Sequence, residues 1–170
     1  MKYFFRSIAI LFLFVFCTIS TPAWAASSTS VTPSAFSEFS MEELRNKDFS
    51  GKTLQSVDFA KVDLEEADFS NSDLRGAVFN ASNLINANLR GADFSYGFAY
   101  LTNFDGADLS DSIFQEAILS FSTFKDTKID GADFSLAVLE KWQVKQLCAN
   151  AKGTNSKTGV DTRDSLGCPE

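Results

Sequence analysis

The chain has 170 residues, 45% of them hydrophobic, which is enough for one domain with its own core. It contains no histidine, the commonest general base, and has neither a Gly-rich phosphate loop nor a nucleophile-elbow motif, so we expect no enzyme, cofactor or metal site. Its net charge of −7 argues against nucleic-acid binding, which depends on neutralising phosphates.

The first 25 residues have the pattern of a cleaved secretory signal peptide. Lys2 and Arg6 precede an apolar run over 8–19, which is too short to span a bilayer comfortably. The segment 23–25 then fits a small-x-small cleavage site before Ala26; an uncleaved membrane anchor is the alternative. Cleavage removes two basic residues and leaves 13 basic against 22 acidic residues, a net charge of −9. We expect no membrane association after cleavage.

Residues 26–46 are expected to form a flexible leader and an N-terminal cap. Ser and Thr dominate 26–34, a composition typical of a disordered segment. Residues 37–47 can form a short helix in which Ser40 and Glu43 provide a capping box.

From Phe49 to Leu139 the sequence repeats every five residues. Of the 19 positions at this spacing, 18 hold a large apolar residue, and Ala99 is the exception. Two residues before each position the chain is mostly small, and the residue just before it is often Asp or Asn. Neither the helical period of 3.6 nor the strand period of 2 gives a strict five. The phenylalanines at these positions include Phe59, Phe69, Phe79, Phe94, Phe104, Phe114, Phe124 and Phe134.

This A-(D/N)-(L/F)-x-x consensus, over 47–139, resembles the pentapeptide-repeat family. The resemblance implies an all-β solenoid, a right-handed quadrilateral β-helix in which five residues make one side and four sides make one turn. It also implies short α-helical caps, mainly C-terminal. The central side chain would point inward beside a small neighbour, because a narrow tube has no room for two large ones. Asp and Asn would accept hydrogen bonds from nearby backbone N–H groups.

One side of the coil departs from the rule on its inside. Because residues 20 apart would stack, Ala99 lies between Phe79 and Leu119. We predict either a small void there or a local bulge that turns Phe98 inward. Gly97 would permit the unusual dihedral angles of such a bulge.

The same side is apolar on its outside, where other sides carry Asp or Asn. The candidate interaction face consists of Val78, Phe98, Tyr100, Leu101, Ile118 and Phe121. A large exposed apolar patch usually marks an interface, and its occupant would be an unidentified protein partner. Coverage by the chain's own N-terminal segment or tail is the alternative. We expect a monomer.

Residues 140–170 are expected to form a helical C-terminal cap. A helix over 138–151 would end at Gly153, and Leu139, Trp142 and Leu147 would close the tube. An even pair of cysteines in an exported chain is typical of a disulfide. Residues 147–168 resemble the tail of exported pentapeptide-repeat proteins from cyanobacteria and the chloroplast lumen, which implies that Cys148 and Cys168 are bridged.

These observations predict a non-enzymatic structural or protein-interaction scaffold of the thylakoid lumen or periplasm. The alternative is an acidic DNA mimic that inhibits an enzyme such as gyrase, because residues 49–139 hold 14 acidic and six basic residues. Acidic residues on one side, such as Glu65, Glu66, Asp105 and Asp126, could bind Ca²⁺ weakly, but we interpret them as solvated surface charge.

Overall fold

The protein is described here by a computed structural model, which covers residues 44–169. The predicted signal peptide, the Ser/Thr-rich leader and the capping box at Ser40 lie outside the described residues. Fifteen parallel β-bridges join residues 20 apart, from Asp48–Asp68 at one end to Ile118–Val138 at the other. Four five-residue sides therefore make one turn, and no bridge extends into a longer strand within the described range.

The four sides are numbered here by their central residues. Side 1 is centred on Phe49, Phe69, Leu89, Leu109 and Ile129; side 2 on Leu54, Leu74, Phe94, Phe114 and Phe134; side 3 on Phe59, Phe79, Ala99, Leu119 and Leu139; side 4 on Leu64, Leu84, Phe104 and Phe124. From Phe49 to Leu119 the N–H of each centre donates to a carbonyl one turn further on, as Phe69 N does to Asn88 O at 2.7 Å. Successive turns are thus spaced like neighbouring strands, about 4.8 Å apart.

Phenylalanine rings fill the tube. All eight phenylalanines predicted to lie inside are at most 3% exposed. Most rings in one column stack, with centroids 5.4 Å apart for Phe104 and Phe124, whereas rings on opposite sides meet edge to face, at 5.7 Å for Phe59 and Phe69. Each such burial is worth about 1.5–3 kcal/mol before entropy is counted, so the interior is the main source of stability.

A left-handed residue turns the chain at every corner. From Asn46 to Leu136 the second residue after each centre has a positive φ, as at Glu66 (60°). In most repeats the N–H that follows donates back to the centre, as Ala67 N does to Leu64 O at 3.0 Å, whereas Val62 N and Thr102 N donate to serine hydroxyls one turn further on. The predicted role of Asp and Asn is confirmed: in eleven repeats the side chain before the centre accepts a bond from the N–H two residues later.

The coil begins earlier than the sequence suggested. Leu44 is only 4% exposed and stands five residues before Phe49, and Asn46 has the left-handed φ of a repeat corner. The Asn46 N–H donates to Glu65 O at 3.0 Å. Residues 44–47 therefore follow the repeat, and the helix predicted over 37–47 is wrong for them, because pairing with the next turn satisfies their backbone.

At Ala99 the chain forms no bulge. Phe98 pairs with both Val78 and Ile118 in an unbroken ladder and remains exposed. The ring of Phe94, on side 2, turns into the space that Ala99 leaves and stacks on Phe79 at 5.3 Å.

Gly97 makes room for the Phe94 ring. A Cβ added at Gly97 would lie 2.4 Å from that ring, and the φ of Gly97 is not left-handed. The glycine therefore provides space rather than the unusual dihedral angles that the sequence suggested.

Two short helices cap the C-terminal end, α1 over Lys141–Cys148 and α2 over Thr162–Leu166. The helix α1 starts later than predicted because Val138 still belongs to the ladder. It ends at Cys148 rather than Gly153, because the chain then turns so that Lys152 O can accept the Gly131 N–H at 2.9 Å.

Gln143, rather than Trp142, closes the tube together with Leu147. Trp142 is 48% exposed, whereas Gln143 is fully buried. Its amide donates to Leu119 O at 2.9 Å and Ser122 O at 2.8 Å, carbonyls of the coil end. An amide can make both bonds, while an indole has only one donor.

Candidate interaction surfaces

Side 3 and its two corners carry nearly all of the large exposed hydrophobic side chains of the described coil. We call this set the apolar face: Val78, Tyr96, Phe98, Tyr100, Leu101, Ile118, Phe121, Leu136 and Val138. Seven of the nine are between 44% and 75% exposed, and Val78 and Ile118 are partly exposed. Their exposed fractions amount to nearly four whole side chains, or about 700 Å² if each large side chain contributes about 200 Å².

The ladder places these residues in register. Val78, Phe98, Ile118 and Val138 form one vertical row, because each is bridged to the next. On the other three sides that row is largely Asp or Asn, which caps the backbone. On side 3 the Tyr100 N–H instead donates to Asn80 Oδ1 at 2.9 Å, so a side chain of the preceding turn takes the role that Asp or Asn has on the other sides.

Four members of the apolar face occupy unfavourable backbone positions. Tyr96, Leu101, Phe121 and Leu136 have φ between 55° and 63°, the left-handed region that suits Gly and Asn. A bulky residue there costs about 1–2 kcal/mol. Because these side chains are about half exposed or more, burial within the coil does not offset that cost.

Two rings on the face support each other. Tyr100 and Phe121 meet edge to face with centroids 5.7 Å apart. Such pairs are worth about 0.5–1.5 kcal/mol beyond area burial, so the contact limits the freedom of both rings. The centre of the face is thereby partly ordered in the free protein.

The structure brings all six predicted face residues together, and the sequence prediction missed others. Tyr96 and Leu136 belong to side 2, but they stand at its corner with side 3. Their signal was the left-handed position, where eight of the 19 described corners hold Gly or Asn. Trp142, expected inside, adds exposed apolar surface just after side 3 ends.

The C-terminal tail lies elsewhere. Asn155 Nδ2 donates to Ser112 O and Gly131 O, and Ser156 N donates to Asp111 Oδ1 at 2.7 Å. These contacts follow the corner between sides 1 and 2, away from side 3. The tail is held there next to a disulfide, since the Sγ atoms of Cys148 and Cys168 lie 2.02 Å apart.

The remaining sides are polar, and their carboxylates have backbone and side-chain partners. A hydrogen bond from Arg75 holds the pKa of Asp73 below its ordinary value. Partial burial alone would raise the pKa of Asp111, but hydrogen bonds from Ser156 lower it.

The acids considered for Ca²⁺ are not clustered. Glu65 pairs with Arg45 at 2.7 Å, and Asp105 accepts the Lys125 N–H at 2.8 Å. Glu65 and Asp105 stand two turns apart in one row, separated by Ile85. Residues 44–169 contain no group of three or more His, Cys, Asp or Glu placed to hold a metal ion. Over the same range no helix is long and apolar enough to cross a membrane.

Known proteins share this architecture. A pentapeptide repeat protein from the thylakoid lumen of Arabidopsis thaliana superimposes with a TM-score of 0.52 and 33% identity, covering 78% of this chain and 96% of that chain. The chloroplastic thylakoid lumenal protein TL20.3 of Arabidopsis thaliana is 63% identical over 41 residues, which span 24% of this chain but only 15% of the plant protein. QnrB1, a plasmid-mediated fluoroquinolone resistance protein, matches at 20% identity over 65% of this chain and 73% of that one, and its TM-score of 0.33 carries no functional argument.

The family assignment rests on the repeat itself. The family model for pentapeptide repeats matches eight copies over residues 43–71, 58–95 and 102–140. This model describes a repeat rather than a catalytic domain. Proteins of this kind fold as right-handed β-helices, which agrees with the four-sided coil described above. The resemblance inferred from the sequence is confirmed, and the chain belongs to the pentapeptide-repeat family.

Proposed function

We propose that this protein is a non-enzymatic scaffold of the thylakoid lumen that binds a protein partner through its apolar face. The observation that carries the proposal is the exposure of seven large hydrophobic side chains on one side of an otherwise polar coil. The lumenal location is supported by the lumenal relatives and by the predicted signal peptide.

The size of the face fits a protein interface. Monomers rarely expose contiguous apolar patches above a few hundred Å², and a standard interface buries about 800 Å² on each partner. The apolar face, at about 700 Å², reaches that range. Aromatic residues, which are enriched at the energetic centres of interfaces, make up four of its nine members.

The chemistry of the face defines the partner. Charged groups are sparse there: Glu116 stands between Tyr96 and Leu136, Lys61 lies two turns before Leu101 in one row, and Lys141 begins α1 just after side 3 ends. The partner surface is therefore expected to be apolar at its centre, with charges at its rim.

The test is a capture from a thylakoid-lumen preparation with matched variants. Leu101→Glu and Phe121→Glu place a charge in the centre of the face. Asn71→Glu and Asn86→Glu place the same charge at the equivalent left-handed position of sides 1 and 4, away from the corners of side 3. A protein held by the wild type and by both control variants, but lost from the face variants, is then purified and its binding measured directly.

A reconstituted complex that the face variants weaken at least tenfold would support the proposal. An unchanged set of captured proteins would refute it. If the purified protein alone forms a dimer that Phe121→Glu dissociates, the occupant is a second copy, and the partner proposal is wrong.

The acidic DNA-mimic function remains the second candidate, favoured by the excess of eight acidic residues over residues 49–139. The cap at the C-terminal end and the coil length of about five turns, roughly 23 Å, weigh against it, because a duplex mimic needs a longer rod. Inhibition of gyrase by the purified protein, together with a location outside the lumen, would favour this function over the scaffold.

A further inference from the structure

The last turn of the coil ends on an open edge along sides 4 and 1. In earlier turns the N–H groups of a centre and of the residue two further on donate to the next turn, as Phe104 N does to Thr123 O at 3.0 Å. The equivalent donors in the last turn are the N–H groups of Phe124, Asp126 and Ile129. The carbonyls they would need belong to residues that form α1, and within residues 44–169 these three N–H groups make no hydrogen bond.

The cap closes the coil end on either side of this stretch. The Ser122 carbonyl accepts from Gln143, the Gly131 N–H donates to Lys152 O, and the Phe134 N–H donates to Ser165 Oγ at 3.0 Å. Between these contacts the Thr127 carbonyl accepts no hydrogen bond within the described range. The open stretch, which we call the coil edge (residues 124–129), thus offers three donors and one acceptor spaced as in the ladder.

A groove lies against the coil edge. One cavity of about 250 Å³ is lined by Phe124 and Leu147, among others, and a second of about 430 Å³ continues past Lys128 and Lys152. Both cavities are lined by Thr127, Ile129, Ala149 and Asn150, so they adjoin. The groove therefore runs between the coil edge and the chain that leaves α1, with room for an extended segment.

Two lysines stand at this edge directly below aspartates of the preceding turn. Lys125 ends a row of side 4 whose earlier members are Arg45, Glu65, Ile85 and Asp105; Lys128 ends a row of side 1 whose earlier members are Asp48, Asp68, Asn88 and Asp108, and it lies 3.6 Å from the Asp108 carboxylate. Both lysines are exposed. A strand added beneath the coil edge would place one residue under each of them, and carboxylates there would complement their charge.

We propose that the coil edge binds an extended acidic peptide segment of a partner protein, which adds to the coil as a further parallel rung. Backbone pairing with Phe124, Asp126, Thr127 and Ile129 would provide affinity, as in other cases of β-strand addition. Carboxylates opposite Lys125 and Lys128 would provide specificity. This site is distinct from the apolar face, which lies on side 3.

The chain itself supplies the design of a probe. Residues 102–109 (TNFDGADL) run along sides 4 and 1 in the turn just above the coil edge, with Asp105 over Lys125 and Asp108 over Lys128. The probe is this octapeptide with blocked ends, and the control is the same peptide with both aspartates replaced by lysine. Each is titrated into isotope-labelled exported protein, with backbone amides followed by NMR and hydrogen exchange.

We expect the acidic probe to shift the amide signals of Phe124, Asp126 and Ile129, slow their exchange, and bind at least tenfold tighter than the control. Added salt should reduce this preference, because both lysines are exposed. The double variant Lys125→Glu/Lys128→Glu should lose the preference, while Lys61→Glu, an equally exposed lysine far from the edge, should keep it.

Three results would overturn the proposal: equal binding of the two peptides, unchanged signals at the three amides, or signals that change with protein concentration alone, which would identify a second copy as the occupant. Phe121→Glu should leave probe binding unchanged. Failure at the coil edge is therefore distinguishable from failure of the scaffold proposal.

Discussion

Gly97→Ala is expected to destabilise the coil because the added methyl group would clash with the ring of Phe94, which occupies the space beside Ala99. The added Cβ would lie 2.4 Å from the Phe94 ring, which real Cβ atoms do not tolerate. The ring is held between Phe79, at 5.3 Å, and Phe114, at 5.6 Å, so it has little room to retreat. Overpacking of this kind costs about 1–3 kcal/mol.

The assay is urea unfolding with the disulfide intact, together with thermal melting. A loss of 1–3 kcal/mol corresponds to a fall of roughly 2–12 °C in Tm for a domain of this size. In a Phe94→Leu background the clash is relieved, so the same Gly97→Ala change should cost much less, and the two substitutions should be strongly non-additive. Ala117→Gly, one turn below in the same row, is the control and should cost only about 0.5–1 kcal/mol.

A Gly97→Ala protein as stable as the wild type would refute the packing account of Ala99. So would an equal cost in both backgrounds, because the penalty would then come from the backbone rather than from the ring. A change in the urea m-value would indicate that the coil unfolds in parts, and local hydrogen exchange would then replace the global measurement.

Three further predictions concern the cap and the surface. Reduction of the Cys148–Cys168 bridge, which closes a loop of 20 residues, should lower the free energy of unfolding by about 3 kcal/mol, measured by urea unfolding with and without reductant. The Arg75 hydrogen bond lowers the folded-state pKa of Asp73, so the bond stabilises the fold above the ordinary pKa of 3.8, and this stabilisation is lost as the pH falls through the folded-state pKa. Tm measured from pH 6 to pH 2 should therefore fall less steeply in Arg75→Gln than in the wild type. Parallel Tm curves for the two proteins would contradict this. Gln143→Leu leaves Ser122 O without a donor and Leu119 O with only the Ser122 N–H, and should cost about 1–3 kcal/mol, whereas Gln115→Leu, on the polar surface, should cost little.

The coil could be predicted from the sequence because one rule is repeated through it. The strict period of five marks the large residues from Leu54 to Phe134, and the resemblance to the pentapeptide-repeat family implied that they point inward with four sides to a turn. The caps could not be predicted to the same accuracy. Gln143 was missed because the sequence does not show that two carbonyls at the coil end, Leu119 O and Ser122 O, would bind a buried amide. The site of Ala99 was misjudged because its filler, Phe94, comes from another side of the tube.

The same reasoning indicates where function is encoded in a repeat protein. A residue that obeys the repeat is explained by the coil, so its identity carries no information about a partner. The informative residues are those that break the rule at a local cost, such as Leu101 and Phe121 in left-handed positions that favour Gly or Asn. Lys128 departs from it too, because the rows above it hold Asp or Asn at that position, although it also pairs with Asp108 at 3.6 Å. Burial within the coil does not offset the left-handed backbone of Leu101 and Phe121, so these two residues are where the proposed partner contact is best tested.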